Sequence, residues 1–149
     1  MSYYFQLLTP RESVIYGKDL KTAEADIRPG LLLDLATGGV TVAKCANDGV
    51  PFGFAFGARS IKYAPTTEVF DSGEVVSAVQ GTGLVAMGSD FFSSGSIPTT
   101  ADAIVYAADD GLLTATPGTV KVGRVIQSKS RTIVGGTENV VVIRFNIQP

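Results

Sequence analysis

The stretch from residue 101 to residue 145 limits the fold more than any other part of the chain. It consists of short apolar runs that alternate with turns built from glycine, proline and aspartate, a pattern typical of antiparallel strands. The predicted strands cover residues 103–108, 112–116, 120–127 and 140–145. The pattern predicts strand, turn, strand, turn, strand, loop and strand in that order, and therefore an all-β fold.

Three local features of this stretch refine the prediction. The turn Asp109–Gly111 contains Asp-Gly, a strong hairpin signal, and the residues after it lack the spaced acids of a calcium loop. The alternation slips at Gly123, which suggests a β-bulge. In the last strand, residues 141, 143, 145 and 147 share one apolar face, and Val140 and Val142 make the start of the other face apolar as well.

The preceding residues also favour strands. Residues 31–44 predict a hairpin, and residues 74–79 and 84–87 predict another around the turn 80–83. The one plausible helix is short and spans residues 18–26. Within residues 50–61, three alternating phenylalanines predict a row that faces the core, and the alternative is a stacking platform for bases or sugars. They are Phe52, Phe54 and Phe56.

The chain begins with aromatic and apolar residues, which is unusual for a terminus exposed to water. This segment either pairs as a strand within its own domain or docks on a neighbouring molecule. We predict an N-terminal arm over residues 1–17 and a single β domain over residues 18–149. The arm residues with the strongest predicted interface role are Tyr3, Tyr4, Phe5, Leu7 and Leu8.

The composition disfavours catalysis and several classes of partner. The chain has no histidine and one cysteine, Cys45, so a cysteine–histidine pair, a thiolate metal cage and an intrachain disulfide are excluded. Nucleotide-binding motifs are incomplete, and no serine-nucleophile motif occurs. We predict no enzyme activity, no cofactor and no metal site. The net charge of −2 predicts no nucleic-acid partner, and no apolar run approaches the ~20 residues of a membrane helix.

Charge is unevenly distributed along the sequence. Residues 63–120 contain no lysine or arginine, whereas the segment from residue 121 onwards is mainly basic. This segregation can pair strands within one domain or make contacts between copies. The alternative is an incidental grouping on a solvated surface. The predicted basic interface residues are Lys121, Arg124, Lys129 and Arg131.

The same block resembles the small capsid decoration, or cement, proteins of tailed bacteriophages. The matching segments are residues 102–106, 110–114, 122–126 and 140–145, with residues 27–32 resembling the entry to the family's first long strand. The resemblance covers most of residues 27–147. It implies a mostly antiparallel small β-barrel or sandwich, β-tulip-like, with an extended N-terminal arm and at most one short helix.

The resemblance also implies a function. Such proteins bind the outer surface of the capsid after assembly in the host cytoplasm, bridge major capsid protein subunits and stabilise the head without a cofactor. It implies a homo-oligomer, a dimer or a trimer, whose partner is the major capsid protein. The alternative is a phage tail, fibre or surface adhesion module that binds a glycan, with the phenylalanine-rich segment as its platform.

Overall fold

The computed structural model describes residues 4–8, 14–15, 20–36, 39–56, 69–95 and 97–147. These residues contain strands and short 3₁₀ turns but no α-helix. The strands are β1 (Phe5–Leu7), β2 (Val14–Ile15), β3 (Lys21–Thr22), β4 (Leu32–Leu35), β5 (Thr41–Lys44), β6 (Pro51–Phe56), β7 (Ser77–Val79), β8 (Gly81–Met87), β9 (Ile104–Ala107), β10 (Leu113–Thr114), β11 (Lys121–Ile133) and β12 (Gly136–Ile147).

The strands form two six-stranded sheets. The first sheet has the order β1-β8-β12-β11-β9-β10, and all of its pairings are antiparallel. The second has the order β2-β7-β6-β4-β5-β3 and is mixed, because β3 runs parallel to β5. The all-β prediction is confirmed, and the two sheets are not closed into a barrel.

The main core lies between the sheets and is built from the face that alternation turns inward. Phe54 of the second sheet contacts Phe145 of the first edge to face, with ring centroids 5.5 Å apart. Phe5 of β1 joins this aromatic group, 6.0 Å from Phe54 and 6.2 Å from Phe91. The described part of the predicted arm thus contributes a fully buried ring to the chain's own core.

A second, smaller cluster covers the opposite face of the second sheet. Leu33, Val42 and Ala55 point to this face from the strands. The chain segments before β4 and before β7 lie over them and supply Leu20 and Ile27 together with Val76. The middle of the second sheet, where β4 meets β6, is therefore buried on both faces, which explains the apolar runs in these two strands.

Several local predictions are confirmed. β4 and β5 form the hairpin predicted over residues 31–44, and β9 and β10 form the hairpin around Asp109–Gly111. The pairing of β11 with β9 shifts register between Lys121 and Gly123, where a bulge was predicted. On β12, residues 141–143 are buried on both faces, whereas Arg144 is exposed beside the buried Phe145.

The hairpin predicted around residues 80–83 is wrong. β7 pairs with β6 in the second sheet, whereas β8 pairs with β1 and β12 in the first. The chain changes sheet at Gln80, a buried residue whose Nε2 donates to the Phe52 carbonyl oxygen at 2.6 Å, and Gly81 turns with φ of +83°. Both a hairpin and a crossover place a glycine between two apolar runs, so the sequence pattern does not separate them.

The helix predicted over residues 18–26 is wrong in its described part, residues 20–26. Leu20 and Thr22 are buried on either side of the exposed Lys21, a period of two that belongs to a strand. The Thr22 hydroxyl donates to the Asp71 carbonyl oxygen, and the Thr22 N–H donates to the Glu74 carbonyl oxygen at 2.9 Å. Hydrogen bonds to distant segments outweigh the local helical preference here.

The phenylalanine row is split between the two clusters. Phe54 and Phe56 are buried in the main core, as predicted for a core-facing row. Phe52 packs against the second cluster instead. Leu33 and Asp34 of β4 pair with Gly53 and Pro51, so Phe52 is a bulge residue with no partner in β4, and the alternation of faces breaks there. The two buried rings offer no surface on which a sugar or a base could stack.

Candidate binding surface

The β11–β12 hairpin extends beyond the strands that flank it. β9 pairs with β11 only up to Arg124, and β8 pairs with β12 only from Val141 onwards. Five further residue pairs, from Lys129–Val140 to Ile133–Gly136, form a two-stranded ribbon roughly 15 Å long. We call residues 129–140 the ribbon. At its tip, Gly135 has φ of +90°, and Val134 is fully exposed.

A cluster of three side chains braces the ribbon on the outer face of the first sheet. Arg131 and Glu138 are direct cross-strand partners, with Arg131 Nε 2.6 Å from Glu138 Oε1. The guanidinium carbon of Arg131 lies 4.0 Å above the centroid of the Tyr4 ring, and the Glu138 side chain is only 9% exposed. The brace joins Tyr4, the residue before β1, to the ribbon through a covered ion pair and a cation–π contact.

Replacing Arg131 with glutamine is expected to lower the free energy of unfolding by about 1–2 kcal/mol, because the covered Glu138 carboxylate loses its charged partner. The measurement is urea unfolding. Lys129→Gln is the matched control, since Lys129 lies two residues away on the same face, is exposed, and should change stability by less than about 0.5 kcal/mol. Equal losses in both variants would contradict the brace.

A basic depression lies on the same outer face, at the other end of β11 and β12. It is open, has a volume of about 330 Å³, and is lined by Lys121, Arg124 and Arg144 around Gly123, with Ile104 at one side. Arg124 and Arg144 are direct cross-strand partners. Arg124 also lies 3.4 Å from the Asp102 carboxylate, whereas Lys121 and Arg144 make no ion pair with any described residue.

The structure divides the predicted interface residues into three groups. Phe5 and Leu7 lie in the chain's own core and are 0% and 9% exposed. Tyr4 and Arg131 form the brace, and Leu8 is 40% exposed beside β8. The residues that remain available at the surface are Leu8, Lys121, Arg124 and Lys129. Tyr3 lies outside the described residues.

Sequence reasoning missed Arg144 and the ribbon. Arg144 is the polar residue in a strand whose apolar residues alternate, so the sequence predicts that its side chain points outward. The sequence does not predict that Arg124 lies opposite it on the neighbouring strand. Residues 128–139 contain Thr132, Ile133 and Thr137 around Gly135–Gly136, which is a strand–turn–strand signal in a polar segment. A strand segment with no apolar face lacks the alternation that marks a strand in the sequence, so this segment was predicted as a loop.

The turn Asp109–Gly111 packs against the segment that carries Cys45. The Gly111 N–H donates to the Cys45 carbonyl oxygen at 2.9 Å, and the Asn47 N–H donates to Asp109 Oδ1 at 3.2 Å. Burial, reinforced by the nearby Asp34 and Asp48 carboxylates, raises the pKa of the Cys45 thiol to about 12. The thiol is therefore protonated at neutral pH. In the parts of the chain described, no three acidic or cysteine side chains converge to hold a metal ion.

The chain matches no protein-family model, no curated protein and no solved structure. Within the described ranges, no helix is long and apolar enough to cross a membrane.

Proposed function

We propose that this chain is a structural virion protein that binds the outer surface of a phage capsid and stabilises it by bridging major capsid protein subunits. Two observations support this proposal. The strands within residues 102–145 resemble those of capsid decoration proteins, and the structure contains the braced ribbon with its exposed apolar tip. The role is non-catalytic, the site of action is the virion surface after assembly in the host cytoplasm, and the acting form is a homo-oligomer, a dimer or a trimer.

The ribbon supports this function because it combines reach with rigidity. A two-stranded ribbon alone is marginally stable in water, and an exposed pair of strand edges invites pairing with other chains. The Tyr4–Arg131–Glu138 brace fixes the ribbon to the sheet, so its tip is presented in one position. A fixed apolar tip loses little conformational entropy on docking, and symmetry on a shell multiplies many such weak contacts.

Replacing Val134 with aspartate is expected to reduce occupancy on capsid shells at least about tenfold, because a charge would enter an apolar contact. Val134 is fully exposed, so folding should be unaffected. The measurement is co-sedimentation with shells assembled from the major capsid protein encoded in the same genome. Val50→Asp is the matched control, because Val50 is 81% exposed in the segment between β5 and β6, outside the ribbon.

Two outcomes would count against the proposal, and they differ in meaning. Wild-type protein that fails to sediment with the shells would overturn the capsid function, and binding to a glycan array in that case would favour an adhesion module. Shell binding that is equal in wild type and Val134→Asp would keep the function but remove the ribbon tip from the contact.

A further inference from the structure

The basic depression contains an arrangement that a strand pair by itself does not favour. Arg124 and Arg144 lie directly opposite each other on β11 and β12, where Cα atoms are about 4.5–5.5 Å apart, and like charges in this position repel. Lys121 adds a third positive charge to the same wall. The fold satisfies its own ion pairing elsewhere on this face, at Arg131 and Glu138.

The one acid beside the depression is weakly held. The Arg124–Asp102 pair has a separation of 3.4 Å, and its side chains are 54% and 83% exposed. Exposed pairs of this kind are screened by water and salt and are readily exchanged. An incoming carboxylate can therefore replace Asp102 at Arg124 while it gains a new partner in Arg144.

The shape and surroundings favour a protein segment over a long polyanion. Two guanidinium groups in one depression match carboxylates through paired N–H donors. Ile104 lines the depression, and Ile126 is 41% exposed on the adjoining part of β11, so apolar contact accompanies the charge. The chain as a whole carries a net charge of −2, which disfavours attraction to an extended nucleic acid.

We propose that the depression between β11 and β12 binds an acidic segment of a partner protein through Arg124 and Arg144. This deepens the proposed function and rests on it in one respect, since it assigns the acidic segment to the major capsid protein. The depression and the ribbon tip are then two separate contacts at opposite ends of the β11–β12 hairpin, one charged and one apolar.

The test is an NMR titration of the ¹⁵N-labelled full chain with a short peptide of alternating glutamate and alanine at low salt. We expect the amide signals of residues 121–124 and 144–146 to shift. Arg144→Gln should weaken peptide binding about tenfold. The thermal stability of this variant should equal or exceed that of the wild type, because the repulsion between residue 144 and Arg124 is removed. Lys129→Gln removes the same charge from the same face outside the depression and should stay within about twofold of wild type.

Other results would overturn this inference. Equal weakening by Lys129→Gln and Arg144→Gln would show attraction to net charge without a site. Tighter binding of a heparin oligosaccharide or of an oligothymidylate at the same signals would assign the depression to a polyanion. No shift at low salt would remove it as an acid-binding site. None of these outcomes depends on shell binding, so the capsid function and this inference can fail separately.

Discussion

Replacing Gly123 with alanine is expected to destabilise the protein by about 3 kcal/mol, the upper part of the range for forcing an extra methyl group into a packed region. A Cβ atom at this position would lie 2.2 Å from the Arg144 carbonyl oxygen and 2.9 Å from the Phe145 Cα. Both atoms belong to the backbone of β12, which is paired on both sides, so neither can move without disturbing the first sheet.

Gly118→Ala supplies the control for this measurement. A Cβ at Gly118 would make ordinary contact, 3.6 Å from the Tyr106 Cβ, and its backbone does not adopt a positive φ. The substitution should leave stability unchanged or raise it by up to about 1 kcal/mol, because alanine restricts the unfolded chain. Urea unfolding of both variants measures the difference. A Gly123→Ala protein as stable as Gly118→Ala would contradict the close approach of β11 and β12.

Replacing Phe5 with alanine is expected to cost about 3–5 kcal/mol, a large fraction of the stability of a domain this size. The Phe5 ring is fully buried and contacts both Phe54 and Phe91. Its loss would leave a cavity between the two sheets, where β1 meets the aromatic group. Thermal or urea unfolding of the purified variant gives the value.

The neighbouring Leu8 provides the comparison for Phe5. Leu8 is 40% exposed, so Leu8→Ala should lower stability by less than about 1 kcal/mol. A large loss for Phe5→Ala with a small loss for Leu8→Ala would place β1 in the core in solution as well. If both variants were as stable as wild type, β1 would be dispensable to the fold and free to act as a docking arm.

The sequence predicted those elements whose partners are close along the chain. The β4–β5 and β9–β10 hairpins follow from alternation and turn residues, which are local properties. The slip at Gly123 was also visible, because a bulge breaks the alternation of the strand that carries it. These features need no knowledge of the rest of the molecule.

The remaining features depend on distant partners. Gln80 shows this for the fold, since only the pairing of β8 with β1 and β12 distinguishes a crossover from a hairpin. Phe5 shows it for the arm, because an apolar residue is expected both at a core position and at a docking position, and the sequence does not distinguish the two. Arg144 shows it for the candidate site, since the register that places it opposite Arg124 depends on the shift between Val125 and Gln127 in β11.

The position of β8 between β1 and β12 has a consequence for how the chain can fold. Val85 pairs with Leu7 on one side and with Ile143 on the other, so the first sheet joins segments from near both ends of the chain. During synthesis, β8 is made about eighty residues after β1, its partner on one side. β12, the partner of β8 on the other side, is made later still. Pairings over such distances are slow and leave apolar strands uncovered. We therefore expect the β4–β5 hairpin to form early and the first sheet to close late, with the nascent chain most prone to aggregate in between.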